Sequence, residues 1–319
     1  MQKRLIFYYL ILLSICYFFL SCGGKQEHGA NRTIKISGAW ALYPMMVQWA
    51  QAYQQQRPEI RIDISAGGAG KGMADVLAGL ADIGMVSREI RAEESARGAV
   101  FIPVVKDAVF PVINRSNPVY ADIRRKGVTR SRFIDLWMKG TKLTWGDLTA
   151  TPESKPVVLY TRSDACGAAE TWAKYLGGQQ EDLQGIAVYG DPGIAEAVRK
   201  DLLGIGYNNL GYAYDLQNGQ VVQGLAVIPI DVNENGVIDT MEEIDSKEKA
   251  VRAIAAGIYP SPPARNLYLA AHKAFPPAAD AFVRWILTEG QALVDPTGYI
   301  KLSSEQVQAA LADLAKPTH

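Results

Sequence analysis

The sequence predicts an α/β protein. Short apolar runs alternate along the chain with helix-like stretches, and three glycine-containing turns each lead into a helix. Behind an apolar leader the chain is also long enough to bury two sizeable cores. Lys plus Arg equals Asp plus Glu, 33 each, with no run of like charge, so no basic surface is available to hold nucleic acid.

The leader comes first. Met1-Gln2-Lys3-Arg4 precedes an almost unbroken apolar run from Leu5 to Leu20, the layout of a secretion signal and short for a membrane span. The run ends in Phe19-Leu20-Ser21-Cys22-Gly23, which resembles a bacterial lipobox with Phe at its first position instead of Leu. Residues 1–21 are therefore expected to be cleaved and Cys22 to carry lipid. Residues 22–32 would form a polar tether. The expected location is the cell envelope, on the periplasmic or cell-surface side. Cys16 and Cys22 belong to this region, which leaves Cys166 with no intramolecular disulfide partner. His28, His272 and His319 are far apart, and neither a zinc site nor a histidine-based nucleophilic triad is suggested.

The elements follow in order. Thr33 to Ile36 reads as a strand, and Pro44 to Gln56 as a helix with proline in its first turn. Ile60 to Ile64 alternates apolar and charged residues and reads as a strand. A helix over Gly72 to Leu80 follows a glycine-rich turn, and strands are expected at Ile83 to Val86, Phe101 to Val105 and Val109 to Asn114. The turn signal Asn117-Pro118 ends that run. Ser131 to Met138 reads as a helix and Val157 to Tyr160 as a strand. Ala168 to Leu176 is a helix stopped by Gly177-Gly178, and Asp191 to Leu203 a helix with Asp191 as N-cap and Pro192 first. Strand-like stretches begin at Ile205 and Leu225, a helix is expected from about Ile244 to Gly257, and a strand at Leu267 to Ala270. Helices at Ala278 to Leu287 and Glu289 to Asp295 complete the reading. The chain is expected to cross between lobes at Lys106 to Phe110 and at Gly224 to Ile228. That gives residues 33–108 and 224–319 to the first lobe and 109–223 to the second.

The three turns are Ser37 to Pro44, Ser65 to Gly72 and Arg162 to Ala168. Helix N-termini offer unpaired N–H groups and partial positive charge, so several aimed at one point form an anion cage. The second turn is not a Walker P-loop, because Gly72 follows Lys71 where Ser or Thr would hold magnesium.

A separate segment, Asp231 to Glu242, fits the twelve-residue calcium loop. Ligands would be Asp231, Asn233, Asn235, the Val237 carbonyl, Asp239 and Glu242, with Gly236 at the sharp turn. A strand precedes it, so it would be a single structural calcium (Ca2+) loop and not a paired EF-hand. The competing reading is an acidic Asn-Gly hairpin turn.

The order of these motifs resembles the PstS-like phosphate-binding proteins of ABC transporters, in the type II periplasmic binding protein group. The resemblance runs from about Thr33 to Leu302. It rests on Gly38 to Pro44 before the Trp49 helix, Gly67 to Gly72, Leu77 to Arg88, Trp145 to Leu148, Arg162 to Gly167, Ile205 to Tyr207 and Glu289 to Tyr299. It implies two α/β lobes joined by a two-strand hinge, closing on ligand in the cleft between them. It also implies no enzyme activity, a small oxyanion ligand such as phosphate, an ABC permease as partner and a monomeric state.

Carried over by position, the ligand contacts fall at Trp40, Ala41, Ala69, Gly70, Ser87 (or Val86), Arg162, Cys166, Gly167 and Ala168. The family's hydroxyl side chains are mostly missing at these positions, while Arg162, expected as the only fixed cation, is retained. Each charge-assisted hydrogen bond contributes roughly 1.5–3 kcal/mol, so their loss weakens phosphate binding unless other groups substitute. Two other readings stand beside this one. Cys166 could serve as a nucleophile activated by Arg162 and a helix N-terminus, but no histidine is near it in sequence. A surface sensor of the same fold would bind a ligand or partner without transport.

Overall fold

The computed structural model describes residues 32–316. The expected leader, Cys22, and all of the tether but Arg32 lie outside the described residues, as do His28 and His319. Among the described residues no helix is long and apolar enough to cross a membrane.

Among the described residues nine strands form the sheet: β1 (Arg32–Gly38), β2 (Ile60–Ala66), β3 (Ile83–Val86), β4 (Ala99–Asn114), β5 (Val158–Arg162), β6 (Ile186–Val188), β7 (Gly204–Asn209), β8 (Leu225–Val227) and β9 (Ala264–His272). Their order is β2-β1-β3-β9-β4-β7-β5-β6, with β8 on β4. β1 and β3 pair in parallel, as do β5, β6 and β7 with one another along the path, whereas β9 and β4 are antiparallel to their neighbours. Four helices position the site: α1 (Tyr43–Gln56), α2 (Ala69–Leu77), α3 (Gly167–Leu176) and α4 (Gly190–Lys200).

Two apolar cores sit on this sheet. The first gathers Ile34, Ile36, Met45, Trp49, Ile83, Val105, Leu267, Leu269 and Phe282 among others. The buried face of α1 shows how sequence drives this: Met45, Met46, Trp49, Ala50 and Tyr53 recur at helical spacing. The Trp49 indole donates to the Gly290 carbonyl at 2.9 Å and ties the helix to the chain's far end. The second core is built round Phe110, Phe133, Trp137, Trp172 and Tyr207. Trp137 meets Trp172 edge-on at 5.5 Å between centroids, and Tyr207 stacks on Trp172 at 6.0 Å.

The expected α/β class and two-lobed architecture are found, while several boundaries differ: the helix after the second turn runs Ala69–Leu77, Glu289–Leu293 is a 3₁₀ turn, and an unexpected helix spans Ser304–Leu314. The runs 101–105 and 109–114 belong to one 16-residue strand, β4, because β9 pairs along its first part and β7 along its second. The helix expected from Ile244 starts at Lys247, where the Ser246 hydroxyl accepts from Lys249 N. The lobe boundary also moves. Leu225, Ala226, Val227, Ile244, Ala250, Ala253 and Tyr259 pack in the second core, since β8 pairs with β4 at Val112 to Asn114. The second crossing is therefore in β9, opposite the first in β4, and not at residues 224–228. An isolated apolar run carries no label for the core it joins.

Candidate functional site

The three turns converge where β1, β3 and β5 end. Gly38, at φ +131°, closes the first turn so tightly that a Cβ there would strike the Met85 carbonyl and lie 2.8 Å from Gly72 Cα. The second and third turns touch across the cleft: Gly70 N donates to the Ala165 carbonyl at 3.3 Å. Gly68, at φ +89°, packs with no room for a side chain, since an added Cβ would lie 2.8 Å from that same carbonyl and 3.0 Å from Asp164 Oδ2. Gly167 lies directly against Ser87, whose carbonyl and hydroxyl would meet any Cβ placed there.

Each expected site residue can now be placed. Trp40 opens a 3₁₀ turn and packs against Tyr43 of its own lobe. Across the cleft it meets Tyr189 and Tyr212 at centroid distances of 6.4 and 6.3 Å. Its buried indole N–H has no acceptor among the described residues. Ala41 is buried, and its carbonyl accepts from the Tyr299 hydroxyl at 2.7 Å. Ala69, Ser87 and Ala168 are buried. Cys166 caps α3, its Sγ accepting from Ala169 N at 3.4 Å, while its own N–H donates to Gln180 Oε1 at 3.1 Å. The N–H groups of Gly167 and Ala168, at the start of α3, have no acceptor among the described residues.

Arg162 is not a free cation. Its Nε and Nη2 form a fork on Asp164 at 2.8 and 2.6 Å, and its Nη1 donates to Asp191 at 2.6 Å. Its side chain is wholly buried. Burial works against its charge, but Asp191 and Asp164 outweigh that and hold the guanidinium above its ordinary pKa. Nor is it the only cation. Arg265 donates to the Gly167 carbonyl, to Thr171 Oγ1 and to Asn209 Oδ1, with Asp107 at 3.4 Å. Asn209 in turn donates to Asp191 from both its backbone N and its Nδ2. A continuous polar chain thus runs Arg162–Asp191–Asn209–Arg265–Asp107, from the third turn to the lobe crossing.

Sequence reading missed four of these five groups. Asp191, expected as an N-cap, lies inside the first turn of α4 and turns its carboxylate to Arg162. Asp107 and Arg265 are 158 positions apart and meet only through the β4–β9 register. Asp164 stood inside the third turn, and its i to i+2 spacing from Arg162 was the one local signal available.

Burial pushes the Cys166 thiol up to about 12, and Arg162 only partly offsets this. The thiol stays protonated at neutral pH, which disfavours the nucleophile reading. His272 is exposed at the end of β9.

The 231–242 loop lies on the second lobe. Asp231 accepts from Asn235 N and Gly236 N at 3.2 and 2.9 Å, and Glu242 from Val232 N and Asp239 N at 3.0 and 3.1 Å. Asn233 and Asn235 donate their amides to Asp239. Ile238 N donates to the Arg125 carbonyl at 2.8 Å, so this loop pairs with a backbone segment instead of a second calcium loop. Among the described residues no three His, Cys, Asp or Glu side chains are gathered closely enough to hold a metal in this arrangement.

Comparison with known proteins follows the same lines. A family model described as a PBP superfamily domain matches residues 24–289. The phosphate-binding protein PstS of Pseudomonas aeruginosa is 25% identical over 313 residues, covering 91% of this chain and 89% of that protein. PstS of Bacillus subtilis is 22% identical over 227 residues, 67% of this chain and 73% of that protein. Among solved structures, a putative phosphate ABC transporter substrate-binding protein from Clostridium perfringens, with bound phosphate, superposes with a TM-score of 0.69 at 22% identity. It covers 85% of this chain and 100% of that one. That likeness carries the fold. With a family model spanning most of the sequence and the two-lobed fold behind it, the chain belongs to the PBP superfamily.

Proposed function

We propose that this protein is an extracytoplasmic solute-binding protein that captures a small oxyanion, nominally phosphate, for ABC-type uptake, and that it performs no catalysis. One observation carries this reading. Turns from both lobes meet at one point, where the unpaired Gly167 and Ala168 N–H groups stand at the N-terminus of α3 beside Arg162. Such N–H groups receive an oxyanion without side-chain hydroxyls. The names of the relatives support the same class of ligand and a transporter partner.

Arg162 already holds two carboxylates, so an arriving anion gains less from it than from an unpaired guanidinium. Those carboxylates also favour a ligand that carries a proton, because hydrogenphosphate can donate to Asp164 and sulfate cannot. Calorimetric titration of the full chain with phosphate, sulfate and acetate tests the reading. Phosphate should bind, and more tightly than sulfate. Binding should strengthen when Cys166→Ser and Ala168→Thr add hydroxyls at the start of α3. A protein that binds neither oxyanion would refute it.

Two further parts of the reading concern what holds the molecule in place. Lipid on Cys22 would tether it to a membrane, an inference supported by the lipobox-like Leu20-Ser21-Cys22-Gly23. Calcium in the 231–242 loop would fix the second lobe's surface. The donor chemistry fits the ion: all six candidate ligand groups are oxygens, the Asp231 and Glu242 carboxylates are buried, and Gly236 takes φ +81° at the sharp turn. For the ion to bind, the Asn233 and Asn235 amides must turn their oxygens inward.

A further inference from the structure

Beside the lobe crossing, the two lobes and both crossing strands line a solvent-open pocket of about 580 Å³. This lies within the roughly 300–1,000 Å³ of small-molecule sites. It is lined by Lys106 of β4 and Arg265 of β9, by Arg88 and Glu89 after β3, and by Glu170 and Lys174 of α3. Trp40, Arg162 and Cys166 do not line it.

The charges are unequally satisfied. Arg88 pairs with Glu94 and Glu170, Lys174 with Glu89, and Arg265 with Asp107. Lys106 alone among these cations has no carboxylate within 4 Å among the described residues. Its backbone is fixed, since N and O both bond to Ile300 at 2.8 and 3.2 Å. Lys106 therefore lines the pocket from a fixed backbone. Tyr268 and Ile300 add a half-buried ring and an aliphatic side chain.

We propose that this pocket takes a small organic anion, with its carboxylate or phosphate group on Lys106 and its apolar body against Tyr268 and Ile300. A single unpaired cation matches one anionic group, and the mixed lining matches an organic body better than a bare oxyanion. Because the walls come from both lobes, the occupant is held only while the lobes keep this arrangement. Arg265 also joins the pocket to the Arg162 cluster through Asn209 and Asp191. Filling the pocket therefore favours the closed cleft, and by linkage a ligand in the cleft favours filling the pocket.

Titration of the full chain with benzoate and phenyl phosphate, and with neutral benzamide as control, tests this. At least one of the two anions should bind with a Kd of about 1 mM or tighter, and benzamide should not bind. Lys106→Met should weaken the anion about tenfold or more, whereas Lys106→Arg should hold it within about threefold. Lys106→Gln replaces Lys106→Met if circular dichroism shows that Met variant unfolded. Saturating inorganic phosphate should raise the affinity, and an unchanged affinity would remove the coupling between pocket and cleft. Binding of neither anion, equal binding by the uncharged variant, or displacement by phosphate would each overturn the inference. Because phosphate is measured separately, failure here is distinct from failure of the cleft reading.

Discussion

Asp107 stands opposite Arg265 in the antiparallel β4–β9 ladder, at the point where both strands pass between the cores, with Asp107 Oδ2 3.4 Å from Arg265 Nη2. Burial dominates both groups. It raises Asp107 to about 6 against the pull of Arg265, and lowers Arg265 below its ordinary value. The pair is thus an electrostatic cost built into the hinge.

A raised carboxyl gives a definite sign. Between the ordinary aspartate value and about 6, the folded state binds a proton that the unfolded state has lost. Its contribution to stability is fully present below about pH 4 and lost as pH rises through about 6, a change on the order of 2–3 kcal/mol. Urea titrations of wild type and Asp107→Asn at several pH values from 4 to 7 check this. Wild type should lose stability relative to the variant across that window, and a difference independent of pH would contradict it.

Arg162 lies between two buried carboxylates, and its removal leaves both unpaired. Arg162→Ala should therefore destabilise the fold by about 3–5 kcal/mol, beyond any effect on ligand. Adding Asp191→Asn should recover part of that loss. If Arg162→Ala melts like wild type, the Asp164–Arg162–Asp191 contacts are not made in solution.

Cys166 is 5% exposed and its thiol is held protonated. Iodoacetamide should label it far more slowly in the native protein than in urea, as read by intact mass. Rapid native labelling would show that the cleft opens widely or that the thiol is activated.

Calcium should raise the melting temperature at millimolar concentration, since single extracellular loops bind at roughly 10⁻⁴–10⁻³ M and only the folded loop binds. Glu242→Gln should abolish the shift. Identical melts with calcium and with chelator would leave the loop as an acidic turn.

The parts of this architecture that local chemistry encodes were legible beforehand. Gly67 to Gly72 and Arg162 to Gly167 announced themselves by glycine and by position at the start of a helix. The second crossing was not legible. Leu225 to Ile230 is apolar whichever core it joins, and only its pairing with Val112 to Asn114 decides the matter. The neutralisation of Arg162 was likewise hidden, because Asp191 lies 29 positions away and its capping role was the simpler reading. Register and tertiary contact settle such questions, and neither has a signature in a single sequence.

The shared strand β4 has a consequence for how the molecule comes apart. Val104 and Val105 belong to the first core, and Ala108 and Val109, three and four positions further along the same strand, to the second. Neither half can lose its order without unzipping a ladder that the other half is using. Heating should therefore show one transition, with calorimetric and van't Hoff enthalpies in agreement, and a chain severed between Lys106 and Asp107 should yield no fragment that folds alone.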